Sequence, residues 1–389
     1  MKRSETRILT THVGSLPRPT DLIELYGRDA PDAELLPRLR SAVAEVVKEQ
    51  ADSGLDVVND GEYGKAMRAS VDFGAWWSYV YPRLGGFEPR REGPQGFSEM
   101  VRGSRDRADF AQFYIEDGGL GQATRQQAPE ARAGGGAPRG SGAAVALQLI
   151  CTGPVRYTGQ ELIRRDIDNL AAAVRSLGVE EAFIPAVSPG MLQKVPNEHY
   201  PSQEEYTWAL AEAIGEEYRA IVDAGFVLQV DDPALVDVYD WWFSLDDDFA
   251  GYRKWAEFQV EALNHALEGI PEDRVRVHIC WGSWHGPHTT DMELRKMVDL
   301  LLRIRAQGYS VEAGNVRHEH EWKVWRDVKL PEGKLLIPGV VSHATNLVEH
   351  AEVVADRIVN YASVVGRENV IASTDCGLGG RIHPQLAWA

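Results

Sequence analysis

Val275-Arg276-Val277-His278-Ile279-Cys280-Trp281-Gly282 is the stretch whose reading decides the fold. Its first six residues read as a buried strand, and Gly282 opens the loop that ends it. Strand side chains alternate between two faces, so His278 and Cys280 point the same way. An imidazole and a thiol side by side at a strand end make half of a zinc site. A lone His-x-Cys is weak evidence, and two later strand ends strengthen it. Tyr309-Ser310-Val311-Glu312-Ala313-Gly314 and Ile371-Ala372-Ser373-Thr374-Asp375-Cys376-Gly377 each set a further ligand type, Glu312 or Cys376, just before a Gly. These residues meet only if their strands belong to one barrel.

Working outward, the same pattern recurs along the chain. Strand-like runs at 8–16, 55–62, 145–151, 182–187, 226–230, 275–280, 309–314, 335–338 and 371–376 are separated by helix-like stretches. Those stretches lie at about 34–51, 159–177, 202–224, 247–268, 291–307 and 346–365. In the first of them Leu35, Leu36, Leu39, Val43, Val46 and Val47 recur at helical steps. Strand alternating with helix means a parallel sheet. The count favours a single (β/α)8 TIM barrel with loop insertions over a doubly wound sheet, with one run surplus. No G-x-G-x-x-G follows the first run, which speaks against a dinucleotide fold. Barrel chemistry sits at the carboxyl rim, where Ser15, Glu62, Asp231, His278, Cys280, Glu312 and Cys376 all fall. Between 63 and 143 the alternation stops. Trp76, Trp77, Tyr79, Tyr81 and Phe87 read there as a packing cluster. The Gly-, Ala- and Pro-rich stretch 119–143 reads as a flexible loop, in an insertion at about 90–143 within one domain spanning 1–389.

With 389 residues and 44% hydrophobic content, the chain has ample material for a large core. A net charge of −17 and a pI near 5.1 argue against nucleic acid and anionic membrane as partners. Cys151, Cys280 and Cys376 form no disulfide framework, and no apolar run approaches the ~20 residues of a membrane span. Together these set the expectation of a cytoplasmic enzyme.

The rim residues together resemble the catalytic half of cobalamin-independent methionine synthase and its short-chain relatives. The resemblance covers most of the chain, apart from 90–143 and about 165–205. It implies that His278, Cys280, Glu312 and Cys376 hold zinc. It further implies that Ser15 donates to a substrate carboxylate, while Glu62 in Asp60-Gly61-Glu62 and Asp231 in Val230-Asp231-Asp232-Pro233 hold the substrate amine. His343 in Val341-Ser342-His343 would be the general acid, and Gly153, Pro154 and Tyr157 would lie beside a folate. Some features depart from the family pattern. No Trp follows Gly153-Pro154-Val155, and Tyr157 is the nearest aromatic. The run from Phe183 to Gly190 looks extra and is the expected surplus strand. Arg317-His318-Glu319-His320 reads as a solvated charged loop, with a second metal site as the alternative.

A free thiol with pKa ~8.5 is mostly protonated at neutral pH, and coordination by zinc deprotonates it. The expected activity is therefore zinc-dependent methyl transfer to a thiol. A methylated tetrahydrofolate would be the donor and homocysteine the acceptor, giving methionine. The alternatives are alkyl transfer to another thiol such as coenzyme M, transfer from a methylcorrinoid protein, and a zinc-dependent lyase or hydrolase. Three protein ligands with an open fourth place would favour the last. The expected partners are a small-molecule thiol and an alkyl donor, with a homo-oligomer left open. Singly, Ser15 and Asp231 also read as helix caps and Glu62 as a surface carboxylate.

Overall fold

The computed structural model describes residues 1–68, 75–90, 101–117, 148–175, 177–282 and 286–389. The side chains of Trp76 and Trp77, the 119–143 stretch and most of the expected insertion lie outside the described residues. Eight parallel strands form a nearly closed (β/α)8 barrel. They are β1 (Leu9–Thr10), β2 (Val57–Val58), β5 (Glu181–Val187), β6 (Val227–Asp231), β7 (Val275–Ile279), β8 (Gly308–Val311), β9 (Leu335–Val341) and β10 (Ile371–Thr374). From β2 onward each pairs with the next in this order, and β10 returns to β1. The seam between β1 and β2 is bridged by the Asp56 N–H on the Thr10 carbonyl at 3.1 Å and by Thr11 Oγ1 on the Val57 carbonyl at 2.9 Å.

The surplus strand is not the one expected. Glu181–Val187 sits in the barrel wall between β2 and β6. The 145–151 run instead enters β4 (Gln148–Tyr157), which pairs antiparallel with β3 (Leu84–Arg90) in a separate two-stranded ribbon. A short apolar run looks the same in either setting. Its partner decides, and the partner here is β3, which the alternation does not mark.

The helices follow from local signals. Gln203–Asp223 opens on Ser202, whose side chain accepts the Glu205 N–H, with Glu204 and Glu205 against the positive helix end. Phe249–Ala266 opens the same way on Asp248. No described helix is long and apolar enough to cross a membrane.

Strand alternation sorts β7 into two layers. Val275, Val277 and Ile279 join the main apolar core that the helices cover. Arg276 points into the barrel, where it donates to Gln229 Oε1 at 2.7 Å, Thr11 Oγ1 at 3.2 Å and the His12 carbonyl at 2.9 Å, and lies over the Phe183 ring. This guanidinium plugs the barrel below the rim. His12 sits in the same layer on Gln50, where burial pushes its pKa down to about 3 and keeps it neutral.

Candidate functional site

The carboxyl ends of β7 and β10 bring two sulfurs together. Cys280 Sγ and Cys376 Sγ lie 3.7 Å apart, both buried. Ligand-capable atoms of His278, Cys280 and Cys376 all fall within 4.8 Å of one another. His278 faces Ser310 of β8 in register, and its Nδ1 meets Ser310 Oγ at 3.0 Å. Its Nε2 is buried with no hydrogen-bond partner. A ring fixed through one nitrogen, with the other bare and beside two thiols, is the arrangement of a metal-ligating histidine. The thiols share a hydrogen bond that pushes Cys280 up and holds Cys376 below the ordinary thiol range, with Arg381 and His278 helping to lower Cys376.

Glu312 stands in a second group with His343 and Asp375, again within 4.8 Å. Its carboxylate accepts the Trp281 N–H at 2.8 Å and a hydrogen bond from the Asn315 amide. Burial pushes its pKa up. Asp375 accepts the N–H groups of Ala313 and Gly314 at 2.8 and 2.6 Å, tying β10 to the end of β8. A side chain on Gly339 would collide with that carboxylate, so only glycine fits there. The expected quartet spans two adjoining groups, since Glu312 also bears electrostatically on Cys280 and Cys376. His278, Cys280 and Cys376 form one cluster, and Glu312 stands in the other group beside His343.

The third part of the rim is acidic. Asp231 lies opposite His278 in register and accepts from Gln229 Nε2 at 2.7 Å. Burial raises its pKa to about 7. Glu62 has left-handed backbone (φ 62°), uncommon for a residue with a Cβ. Asp60 Oδ1 accepts its N–H at 2.9 Å, and Arg18 donates to its carbonyl at 2.6 Å. A Cβ on Gly14 would come within 2.6 Å of the Glu62 carboxylate, so glycine there leaves room for Glu62 to reach the rim. Ser15 lies on the same wall, 3.3 Å from Arg18 and against the loop after Cys376.

Several residues at the rim carry no motif. Lys65 pairs with Glu62 at 3.2 Å, both nearly buried. Lys194 places its buried Nζ 3.9 Å from the Trp241 ring centroid, with no hydrogen-bond partner. Ser310, which fixes His278, was legible only as the residue two before Glu312 on the same strand face. Lys65 had one signal, its place three residues after Glu62, and Lys194 had none.

Other expectations land elsewhere. Gly153, Pro154 and Tyr157 are on β4, outside the barrel. The Tyr157 side chain is buried and its hydroxyl donates to Glu217, so its ring belongs to a packed polar cluster. His318 is not solvated. It stacks on Trp281 at 3.8 Å and sits between Asp291 Oδ2 at 2.9 Å and Glu321 Oε2 at 3.1 Å. A charged-looking sequence hid it, because its two carboxylates come from separate positions. His320 is exposed.

The fold is a (β/α)8 barrel with paired thiols and an imidazole at its carboxyl rim, the face where barrel chemistry sits. Residues 191–387 match the model of the family described as cobalamin-independent synthase, catalytic domain. The chain belongs to that family, and with it to the methyl- and alkyl-transferring enzymes. It is 23% identical to a 2-hydroxypropyl-CoM lyase of Xanthobacter autotrophicus, over 97% of this chain and 91% of the relative. It is also 23% identical to a methionine synthase of Sulfolobus acidocaldarius, over 96% and 86%. A solved B12-independent methionine synthase from a Shewanella species, in complex with selenomethionine, has the same fold. Its TM-score is 0.65 at 19% identity, over 98% of this chain and 94% of that one.

Proposed function

We propose that this protein transfers an alkyl group, methyl in the simplest case, to a thiol at a zinc centre held by His278, Cys280 and Cys376, with Glu312 as the ligand that gives way. The observation that carries the reading is the buried His278–Cys280–Cys376 cluster. Two sulfurs and one imidazole nitrogen suit zinc, and the bare Nε2 fixed through Ser310 fits a ligand role. Zinc, when bound, would supply an acceptor thiolate at neutral pH. The residues of the chain do the rest. Trp281 N–H and Asn315 hold the Glu312 carboxylate when it is not needed as a ligand. His343, grouped with Glu312 and Asp375, would hold the proton that a leaving group needs. Methylated folate is the donor the family likeness suggests, and a free methyl or alkyl donor is the alternative.

One observation favours a second reading. Because Glu312 is outside the tight cluster, three ligands and an open place are also available, as in zinc enzymes that activate water. X-ray absorption at the zinc edge separates the two. Thiol transfer expects one added sulfur when an acceptor thiol is supplied. An unchanged spectrum at saturating small thiols overturns it and leaves the lyase or hydrolase reading.

A further inference from the structure

This inference rests on the thiol-transfer reading and concerns which thiol is accepted. An amino-acid acceptor brings an ammonium group, which needs a carboxylate pair without a cation of its own. Among the described residues Glu312 and Asp375 do form a close carboxylate pair held by neutral N–H groups, but Glu312 is already given to the zinc, and the other rim carboxylates lie near a cation. Glu62 carries the Lys65 ammonium at 3.2 Å, and the two side chains keep only 11% and 7% of their exposure. Lys65 also lies 4.4 Å from the Tyr79 ring centroid and bears electrostatically on Asp231 and Asp60. Asp232 and Asp237 share the field of a second lysine, Lys194, which also bears on Cys280. Lys194 Nζ is buried with no hydrogen-bond partner of its own. Asp291 sits between His288 and His318, at 3.0 and 2.9 Å. Glu312 accepts backbone and amide N–H groups and is the proposed zinc ligand, and Asp375 Oδ1 accepts two backbone N–H groups while its Oδ2 has no hydrogen-bond partner.

We propose that Lys65 stands where a substrate ammonium would stand, so that the acceptor is a thiol without an amino group. A second ammonium brought against Lys65 would meet like charge in a buried place, which is costly. Lys194, on the Cys280 side, gives the centre a cation with no hydrogen-bonded counterion and so favours an acceptor with an anionic end, a carboxylate or a sulfonate. Lys65 is here a specificity-determining residue. It sets which thiol enters, and it takes no part in the bond that forms between the thiolate sulfur and the alkyl carbon as the donor leaves with its electron pair.

The test is calorimetric binding to the zinc-loaded full chain, using homocysteine, 3-mercaptopropionate and 2-mercaptoethanesulfonate as probes, with zinc content measured alongside. The amine-free thiols are expected to bind at least tenfold more tightly than homocysteine. Lys65→Met should narrow that ratio tenfold or more at unchanged zinc content, and Lys65→Arg should preserve it, which guards against a variant that merely misfolds. Homocysteine binding as tightly as the amine-free probes in the wild type, or a ratio that Lys65→Met leaves unmoved, overturns the inference while the thiol-transfer reading stands. Failure of all three thiols to bind a zinc-loaded chain overturns that reading, and the inference with it.

Discussion

Two buried polar clusters in this molecule are alike in composition and opposite in finish. Around Glu217, on the helix beneath the β3–β4 ribbon, the hydroxyls of Tyr79 and Tyr157 and the Arg83 guanidinium all converge on one carboxylate. Arg83 also reaches Asp166 at 2.7 Å, and Arg165 joins the same carboxylate. At the barrel rim, by contrast, His278 Nε2, Lys194 Nζ, Asp237 Oδ1 and Asp375 Oδ2 are buried without hydrogen-bond partners. Burying a polar atom unsatisfied costs about 1–3 kcal/mol. The Glu217 network is nearly closed, with Arg83 Nε still unpartnered, whereas the rim leaves four such atoms, and the more open network is the one suited to something that arrives. The Glu217 cluster is therefore assigned to stability and the rim to binding.

The sharpest way to break this contrast is to remove both rim sulfurs. A Cys280→Ala, Cys376→Ala double variant should fall from about one zinc per chain to none by metal analysis. It should still fold, because the apolar core lies outside the sulfur pair. Full zinc retention would end the metal reading of the rim. The next largest effect belongs to the closed cluster. Glu217→Ala leaves Arg83 and two tyrosines buried around a missing carboxylate, and should cost about 3–5 kcal/mol in denaturant unfolding. Zinc content per folded chain should be unchanged, and a selective loss of zinc would show that the two clusters are not separate.

A finer probe is Ser310→Ala, which frees the His278 ring without touching a ligand. Loss of such a supporting hydrogen bond lowers metal affinity by about 10–100-fold, readable by competition with a chelator. No change would mean that the ring is held by something other than Ser310. The smallest effect is a pH slope. Burial works against the charge of His318, but Asp291 and Glu321 outweigh it and raise its pKa from 6.5 to about 9. Protonated His318 is favoured by the fold, so its contribution is complete below pH 6.5 and is lost as pH rises through 9. Unfolding free energy should fall across that window by at most about 1.4 kcal/mol per pH unit. In His318→Gln this part of the slope should be absent. An identical slope in the variant would remove His318 from the account.

The two clusters also differ in how much of each could be read from the chain alone. His278, Cys280, Glu312 and Cys376 sit at fixed places in strand-loop signatures, and period-two alternation is enough to put His278 and Cys280 on one face. Strand–helix alternation likewise determined the barrel, because parallel neighbours need a crossover between them. The Glu217 network has no such signature. Its members come from the β3–β4 ribbon, the turn before it and the helices around it, and only packing brings them together. For the same reason the sequence did not reveal the bond from Tyr157 to Glu217, took the run in Glu181–Val187 for surplus and read His318 as solvated.

What the sequence by itself determined is the fold class and the chemical types at the rim, since both follow from local periodicity and from residues at strand ends. What only the tertiary structure decided is which of those residues meet. It grouped Glu312 tightly with His343 and Asp375 while leaving it within electrostatic reach of both sulfurs, and it set Lys65 against Glu62. Charge pairing in a buried rim depends on distances of a few ångströms between side chains held by different loops and strands, and no local pattern encodes those.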